Sequence, residues 1–357
     1  MRILQLIDSL EVGGAERMAV NYANALLGKI KVSALCATRA EGDLKSLIES
    51  DIPYLFLNKK RTLDLAAFLR LRRFIKTHNI QLIQAHGSSY FTAVLVKMIS
   101  PGLKLIWHDH YGNSEFLKQR DARILKPLSR FFDGVIAVND NLSCWSKEYL
   151  NIEKSIFVKN FIADALPLDK SFKINGVVGK RIVCVANLRP QKNHQLLLKS
   201  FEELLKIDDQ YTLHLFGSKI DTTYSDLILS SIETSGFKNS VFYYGTHLKL
   251  SSVLPHFDIG VLTSNSEGLP LSLLEYGQAG LAVVATNVGD CAQVLDGAGI
   301  CLPPNDSESL VNVVLKYKSI PQLKIENGRL LRKKVDSFYS SKSVLPEVID
   351  LYEHVLY

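Results

Sequence analysis

The chain is predicted to be an α/β protein with two doubly wound, Rossmann-like domains, and three observations lead to this fold class. Short apolar runs alternate with helix-patterned segments throughout the 357 residues. The alternation stops over 160–179, where Pro167, Gly176 and Gly179 occur, and then restarts. The length suits two domains of ordinary size. Two βαβ series in succession predict two parallel sheets facing each other across a cleft.

The elements follow from these runs in chain order. Apolar runs predict strands at 2–7, 31–37, 52–57, 81–85, 103–107, 134–138 and 155–159, and then at 181–186, 211–216, 240–244, 258–263, 282–286 and 299–302. Helical periodicity predicts helices at 16–28, 62–77, 89–99, 141–150, 194–206, 223–235, 270–279 and 307–318, with a helical pattern over 322–357. We expect an N-terminal domain over 1–165, a C-terminal domain over 166–340 and a last helix over 341–357.

Composition excludes several classes of protein. No apolar run reaches the ~18 residues that a membrane span needs. The N-terminus opens directly into a strand and lacks the length and cleavage site of a signal peptide. The five cysteines are scattered and form no C-x-x-C pair, which suits a reducing cytoplasm and indicates no zinc site. We therefore expect a cytoplasmic protein.

Positive charge is concentrated in the first half of the chain. Residues 1–165 carry 23 Lys and Arg against 16 Asp and Glu, whereas residues 166–357 carry 19 against 20. The basic clusters are Lys59, Lys60 and Arg61, and the helix-like series Arg70, Arg72, Arg73 and Lys76. They form either an ordinary solvated face or a surface that docks on anionic lipid or an anionic acceptor. Nucleic acid is not expected as a partner, because no recognisable nucleic-acid module occurs.

Two glutamates in one apolar block are the most informative motif. Glu267 and Glu275 lie between predicted strands, and Pro270 suits the first turn of the intervening helix. The loop 267–269 then lies at a helix N-terminus, which favours an anion. Glu275 lies roughly 9 Å further along at 1.5 Å per residue, about the span from a diphosphate to a ribose. The helix could hold a nucleotide diphosphate at its tip and a ribose on its flank; a solvated surface pair is the alternative.

Loops after two other strands carry further candidates. Arg189 and Lys192 precede a predicted helix, where the helix dipole disfavours cations unless a ligand anion is bound. Each charge-assisted bond to a diphosphate would contribute roughly 1.5–3 kcal/mol. Gly13 and Gly14 occupy the first strand-to-helix turn, where glycine permits positive φ and a close approach to a ligand.

Three histidines follow apolar strands. His86 ends one run, and His108 and His110 follow another. The H-x-H spacing could suggest a metal, but no third ligand is evident nearby in the sequence. Packing or hydrogen-bonding roles in a cleft are expected instead. The chain has no Walker loop, G-x-S-x-G elbow or H-E-x-x-H motif.

Because of these loops, nearly the whole chain resembles a glycosyltransferase of the GT-B fold, specifically of the large retaining family 4. The resemblance rests on E-x7-E from Glu267 to Glu275 with the common E-G-L-P sequence, on the Arg189 and Lys192 pair, and on the Gly13-Gly14 turn. The family's common G-R-L is Ala186-Asn187-Leu188 here, and its usual N-G-[VI]-D is Asn160-Phe161-Ile162-Ala163. These departures concern the local geometry of the donor loop and the linker.

The resemblance implies a role for each candidate residue. Gly14 would let the N-terminal loop approach the donor phosphate, and Arg189 and Lys192 would hold the diphosphate. Backbone N–H groups of Gly268, Leu269 and Leu271 would bind phosphate or sugar. Glu275 would bind the ribose, and Glu267 would lie beside the transferred sugar.

The remaining roles concern the base, the sugar and the last helix. The base would rest near Phe216-Gly217 and Tyr244-Gly245. The sugar-contacting histidine falls at His108 or His110, and His108 is favoured because it directly follows the strand. Residues 343–357 are the candidate for a last helix that crosses back to the first domain.

The implied reaction moves a sugar from a UDP- or GDP-sugar to a hydroxyl of a saccharide acceptor with retained configuration, in cell-surface polysaccharide biosynthesis. No metal or other cofactor is expected. A lipid-linked acceptor would bind the basic first domain at the inner face of the cytoplasmic membrane. A sugar-nucleotide epimerase of the same fold and a non-catalytic nucleotide-sugar-binding subunit remain alternatives, and the intact charged residues speak against the second.

Overall fold

The computed structural model describes residues 1–112 and 117–357. The chain forms two compact units. The first contains Met1–Ala163 together with Ser341–Tyr357, and the second contains Asp164–Ser340.

The first unit is built on a seven-stranded parallel sheet. Its strands are β1 (Arg2–Ser9), β2 (Val32–Ala40), β3 (Tyr54–Phe56), β4 (Leu82–His86), β5 (Lys104–Asp109), β6 (Gly134–Ala137) and β7 (Ser155–Phe157). Their order is β3-β2-β1-β4-β5-β6-β7. The order reverses between β1 and β4, so the loops after these strands diverge there, as in other ligand-binding α/β sheets.

Helices cover this sheet. They are α1 (Gly14–Leu26), α2 (Leu65–Thr77), α3 (Tyr90–Met98), α4 (Leu125–Ser129) and α5 (Asp140–Leu150), together with the C-terminal helix, which is α13 in chain order (Ser341–Leu356). Side chains cap two of them: Asp64 accepts from Ala67 N at the start of α2, and Asn139 accepts from Leu142 N at the start of α5. Helix α2 buries Phe68, Leu71 and their neighbours at helical spacing.

The second unit has a six-stranded parallel sheet. Its strands are β8 (Arg181–Val185), β9 (Thr212–Phe216), β10 (Val241–Tyr243), β11 (Ile259–Leu262), β12 (Ala282–Thr286) and β13 (Ile300–Leu302). The order β10-β9-β8-β11-β12-β13 reverses between β8 and β11. The helices are α6 (His194–Ile207), α7 (Thr222–Thr234), α8 (Leu250–Val253), α9 (Leu271–Ala279), α10 (Cys291–Leu295), α11 (Ser307–Ser319) and α12 (Pro321–Phe338).

The α/β fold class with two Rossmann-like sheets is confirmed, and each sheet strand overlaps a predicted one. Helices α4, α8 and α10 were not predicted, because segments of four or five residues are too short to show a helical period. The helical pattern over 322–357 is divided, since α12 ends at Phe338 and α13 begins at Ser341. Within the described residues, no helix combines the length and apolarity needed to cross a bilayer.

Candidate active site

The loop after β8 carries the two predicted cations. Pro190–Lys192 form one 3₁₀ turn, and Asn193, with φ of 50°, then caps α6 by accepting from Leu196 N. The Nε of Arg189 is buried and has no hydrogen-bond partner among the residues that the structure describes. A buried cationic donor without a partner is unfavourable unless an acceptor arrives, so Arg189 suits an anionic ligand.

Lys192 and Glu267 form an ion pair, although sequence reasoning gave them separate roles. The Nζ of Lys192 contacts Oε1 of Glu267, and their side chains are only 13% and 7% exposed. Ser264 Oγ donates to the same carboxylate oxygen at 2.6 Å. The carboxylate and the ammonium are therefore fixed against each other in a mostly dry environment, where electrostatic interactions are stronger than in water.

The loops that follow β8, β11 and β12 are bonded into one rigid assembly. Asn265 N donates to Gln191 O at 2.8 Å, and Gln191 Nε2 donates to Ser266 O at 2.7 Å. On the other side, Gly289 has φ of 51°, and a Cβ there would lie 2.3 Å from Glu267 O. Only glycine allows this approach, which packs the loop after β12 against the backbone of Glu267.

Helix α9 begins at Leu271, just after the Gly268–Leu269 loop. Pro270 lies at the N-cap with φ of −74° and ψ of 123°, one position before the predicted first turn, because its extended ψ ends the loop. Glu275 is half-buried on the first helical turns. The next residue, Tyr276, attaches the helix to the sheet. Its hydroxyl accepts from Val185 N of β8 at 2.6 Å and donates to Val261 O of β11 at 3.3 Å.

Aromatic rings mark the predicted base position at the ends of β9 and β10. Phe216 and Tyr244 stack with centroids 4.7 Å apart and an interplanar angle of 10°. Gly217 N donates to Gly245 O at 2.8 Å, and both glycines have positive φ. The ring of Phe172 lies 5.5 Å from that of Tyr244. The segment 160–179, where the alternation of strands and helices stops, therefore contributes a packed ring to this platform.

In the first unit, a polar stripe crosses the otherwise apolar sheet. Gln5 pairs in register with Gln84, and His86 with His108. Residues in register on parallel strands, and those two positions apart, share one face, so these side chains and that of His110 lie together. Buried parallel strands normally read as continuous apolar runs. Gln5 and Gln84 were the signal that sequence reasoning missed.

Hydrogen bonds join the stripe. His86 Nε2 lies 2.8 Å from Gln5 Oε1, and His86 Nδ1 lies 2.9 Å from His110 Nε2. Gln84 Nε2 lies 2.8 Å from His108 Nδ1. The Nε2 of His108 is buried and finds no hydrogen-bond partner in the described part of the chain. His108, and not His110, therefore presents an unsatisfied group.

The three imidazoles are neutral at physiological pH. Burial lowers the pKa of His86 and His108 well below the ordinary value, with a further contribution from neighbouring histidines. Burial also lowers the pKa of His110 to about 3. One ligand nitrogen from each ring lies within 4.8 Å of the other two, because β4 brings His86 beside His108 and His110; the third neighbour that the local sequence did not show is therefore present in the structure.

The glycine turn of the first unit differs from its prediction. Gly13 caps α1 with φ of −154°, which is extended backbone, and Gly14 is not among the positive-φ residues. A Cβ on Gly13 would lie 2.2 Å from Glu16 Oε2, whereas one on Gly14 would meet no atom of the described residues within 4 Å. Gly13 therefore allows a close approach of the Glu16 side chain, and neither glycine forms a left-handed turn.

The basic cluster is only partly a solvated face. Lys59 is buried, and its Nζ donates to Thr92 Oγ1 at 2.6 Å. Burial lowers the pKa of Lys59. Lys60, Arg61 and Arg73 are exposed as expected. Including Lys59 in the surface cluster was therefore wrong, because its long side chain folds back onto α3.

Comparison with known families divides the chain in the same way. A model described as Glycosyltransferase Family 4 matches residues 12–162, and one described as Glycosyl transferases group 1 matches residues 179–318. A solved structure of Anabaena HepE in complex with UDP-glucose has a TM-score of 0.82 and 17% identity, covering 99% of this chain and 100% of the other.

Named relatives are distant. The poly(ribitol-phosphate) alpha-N-acetylglucosaminyltransferase of Staphylococcus aureus is 22% identical over 69% of this chain, which spans about half (48%) of that protein. The O-antigen biosynthesis glycosyltransferase WbnH of Escherichia coli is 24% identical over 85% of this chain and 86% of its own length. An Escherichia coli UDP-Gal:alpha-D-GlcNAc-diphosphoundecaprenol alpha-1,3-galactosyltransferase is 21% identical over 84% and 82%.

The two family models cover the strand-end loops that carry Gly13, His108, Arg189 and Glu267. The two sheets have Rossmann-like strand orders, and the fold matches the solved HepE structure over 99% of this chain. The chain belongs to the GT-B glycosyltransferases, with a family 4 first unit and a group 1 second unit.

Proposed function

We propose that this glycosyltransferase moves a sugar from a UDP- or GDP-sugar to a hydroxyl of a saccharide acceptor, with retained anomeric configuration, in the assembly of a cell-surface polysaccharide. The observation that carries the proposal is the loop after β8. There a buried Arg189 Nε has no hydrogen-bond partner among residues 1–112 and 117–357, and Lys192 is fixed beside Glu267. Such a site attracts a diphosphate.

The donor would lie along the carboxyl ends of β8, β9 and β11. Arg189 and Lys192 would hold the diphosphate, assisted by backbone N–H groups at Gly268, Leu269 and Leu271. Glu275 would accept from the ribose hydroxyls, and the base would rest against the platform of Phe216 and Tyr244, beside Gly217 and Gly245. The ring of Tyr244, which is half-buried and backed by the buried Phe216, supports the last assignment, since bases bind to flat aromatic surfaces.

The sugar would be recognised by Glu267 and by a histidine of the first unit. We assign that histidine as His108, because its Nε2 is buried without a partner in the described chain while His110 Nε2 bonds to His86. Gly13 and Gly14 would let the first loop approach the donor phosphate, since a Cβ on Gly14 would meet no atom of the described residues within 4 Å.

The chemistry needs no metal under this proposal. The bond from the anomeric carbon to the diphosphate oxygen breaks, and a bond to the acceptor oxygen forms on the same face. The acceptor's proton passes to the departing phosphate oxygen. Arg189 and Lys192 would stabilise the charge that develops on that oxygen, and such fixed electrostatic stabilisation is often the largest catalytic contribution.

We further propose a lipid-linked acceptor and peripheral contact with an anionic membrane at the cytoplasmic face. The Escherichia coli relative whose name specifies a diphosphoundecaprenol-linked substrate supports the first part. Helix α2 supports the second: Leu65 and Leu69 are 71% and 51% exposed and share a face with Arg72, Arg73 and Lys76 at helical spacing. Exposed leucines beside cations suit an anionic bilayer surface.

The proposed activity is tested by nucleotide release from a panel of UDP-, GDP- and ADP-sugars in the presence of a chelator, with and without membrane lipid extract. Release from one donor, stimulated by the extract and accompanied by a glycosylated lipid, is expected. Conversion of the donor to another sugar nucleotide without acceptor would instead indicate an epimerase. Tight nucleotide binding without release under every condition would indicate a binding subunit.

Membrane contact is tested by sedimentation with phosphatidylglycerol vesicles at low salt. The native chain is expected to sediment, and the Leu65→Ser/Leu69→Ser variant is expected to remain in solution. Leu227→Ser on α7, where the leucine is 48% exposed, is the matched control. Equal sedimentation of all three proteins would remove α2 from the proposal.

A further inference from the structure

A tyrosine of the C-terminal helix is bonded into the polar stripe of the first unit. Tyr352 lies on α13 and is fully buried. Its hydroxyl donates to Gln84 Oε1, a contact between residues 268 positions apart. Burial raises the pKa of Tyr352, so the hydroxyl keeps its proton and remains a donor. In the structure, the amide oxygen of Gln84 faces Tyr352 and the amide nitrogen faces His108.

This contact determines which atoms of the Gln84 amide face His108. With Oε1 held by Tyr352, Gln84 Nε2 lies 2.8 Å from His108 Nδ1. An amide nitrogen donates and does not accept, so His108 Nδ1 must be the acceptor. A neutral imidazole carries one proton, which then lies on Nε2.

We propose that Tyr352 and Gln84 are positioning residues that hold His108 in its Nε2–H tautomer, so that it donates a hydrogen bond to an oxygen of the bound sugar. The Nε2 of His108 is the buried atom without a partner in the described chain, and the chain of bonds makes it a donor. His108 is then unable to act as a general base. The sugar contact rests on the proposed function; the tautomer does not.

The same bonds argue against a metal at the three histidines. A metal needs an unprotonated nitrogen from each ligand. His108 Nε2 carries a proton in this arrangement, and His86 Nδ1 and His110 Nε2 share one at 2.9 Å. The cluster that His86, His108 and His110 form is therefore arranged for hydrogen bonding, although its spacing would admit an ion.

Long-range ¹H–¹⁵N correlation spectroscopy of the ligand-free protein at pH 7.5 tests the proposal. The pKa of His108 is lowered by burial, so its ring is neutral under these conditions and each nitrogen shows one state. The chain has nine histidines, and the His108→Gln variant identifies the relevant signals by their loss. We expect a protonated Nε2 and an unprotonated Nδ1 in the native protein.

Three variants distinguish a tautomer held by the Tyr352–Gln84–His108 hydrogen bonds from simple packing of these side chains. In Tyr352→Phe the Gln84 amide is free to turn, and a mixture of both tautomers is expected. In Gln84→Glu the carboxylate can only accept from Nδ1–H, so the tautomer should invert. Tyr22→Phe is the control: its ring lies edge-on to His108 at 5.4 Å, but its buried hydroxyl has no partner in the described chain.

The outcomes decide the proposal without any enzymatic assay. An Nδ1–H tautomer in the native protein, or an unchanged spectrum in Tyr352→Phe, would overturn it. If Gln84→Glu does not fold, Tyr352→Phe against Tyr22→Phe still decides. Where transfer is measurable, Tyr352→Phe should lower kcat/KM for the donor in proportion to the loss of the Nε2–H tautomer, about twofold for an even mixture, and Tyr22→Phe should not. An inactive protein with the expected tautomers would count against the proposed function alone.

Discussion

Lys192 and Glu267 form a nearly buried ion pair across the reversal point of the second sheet. They are 75 positions apart in the chain, but β8 and β11 are neighbouring strands, so the loops that follow them meet. The cation proposed for the diphosphate and the carboxylate proposed for the sugar are therefore coupled before any donor binds. A change in either residue should affect stability as well as transfer.

Lys192→Ala is expected to lower both properties. The variant leaves the Glu267 carboxylate, which is 7% exposed, without its cation. An unpaired buried charge destabilises a protein by about 3–5 kcal/mol, and partial exposure of this pair places the loss near the lower bound. Transfer should fall at least tenfold because a diphosphate contact is lost. Urea unfolding and donor turnover measure the two effects.

A second variant separates the two effects. Lys192→Met/Glu267→Gln removes both charges, and the amide can still accept from Ser264, so most of the stability should return while transfer stays low. Lys199→Ala, at an exposed position of α6, should change neither property. Turnover of Lys192→Ala equal to that of the native protein would remove Lys192 from the site.

Glu275→Ala is expected to weaken nucleotide binding without unfolding the chain. The residue is half-buried on α9, whose position is secured from the other side by the hydroxyl of Tyr276. Loss of charge-assisted bonds to the ribose should raise the Kd for UDP or GDP about tenfold. Titration calorimetry measures it, and Glu275→Gln should lose less. An unchanged Kd would end the ribose assignment.

The fold could be predicted because its signals are local. Each strand is an apolar run between turn residues, and the Glu267 and Arg189 loops directly follow such runs. The hydrogen bonds from Tyr352 through Gln84 to His108 could not be predicted, because Tyr352 reaches Gln84 only after α13 packs against the first sheet. Lys59 was predicted wrongly for a related reason. A charged residue in a basic run is expected to be exposed, but the Thr92 hydroxyl, which is distant in the sequence, accepts a hydrogen bond from Lys59 and makes its burial possible.

A second charge pair should be mainly structural. Arg120 and Asp109 are joined by two hydrogen bonds of 2.6 and 2.8 Å, with side chains 8% and 1% exposed. The guanidinium also lies 4.4 Å from the ring centroids of both Tyr111 and Trp145. Arg120→Met should destabilise the first unit by about 3–5 kcal/mol, because Asp109 is left buried and unpaired.

The matched control for Arg120 lies three residues away. Arg123 pairs with Asp121, but this pair is exposed to solvent. Exposed pairs contribute little, so thermal unfolding of Arg123→Met should match that of the native chain. If Arg120→Met also unfolds at the native temperature, the pair does not stabilise the fold.

Stability should fall as the pH is lowered from about 6.5 toward 4. Burial lowers the pKa of His110 and His214 to about 3, and the pKa values of His86 and His108 are also well below normal. An unfolded histidine titrates near 6.5, so in this window the unfolded chain binds more protons than the folded chain. The histidines' contribution is fully present above pH 6.5 and is lost as the pH falls toward the folded values.

The slope can be measured and assigned. Each buried histidine contributes up to about 1.4 kcal/mol of unfolding free energy per pH unit. Urea midpoints at pH 7.5, 6.5, 5.5 and 4.5 measure the sum. Phe242 stacks on His214 at 5.2 Å, and His214→Phe keeps a ring in that position. The variant should reduce the number of protons taken up on unfolding by about one, and so reduce the slope of unfolding free energy against pH. Midpoints that do not change between pH 6.5 and 4.5 would mean that these rings are not held neutral by burial.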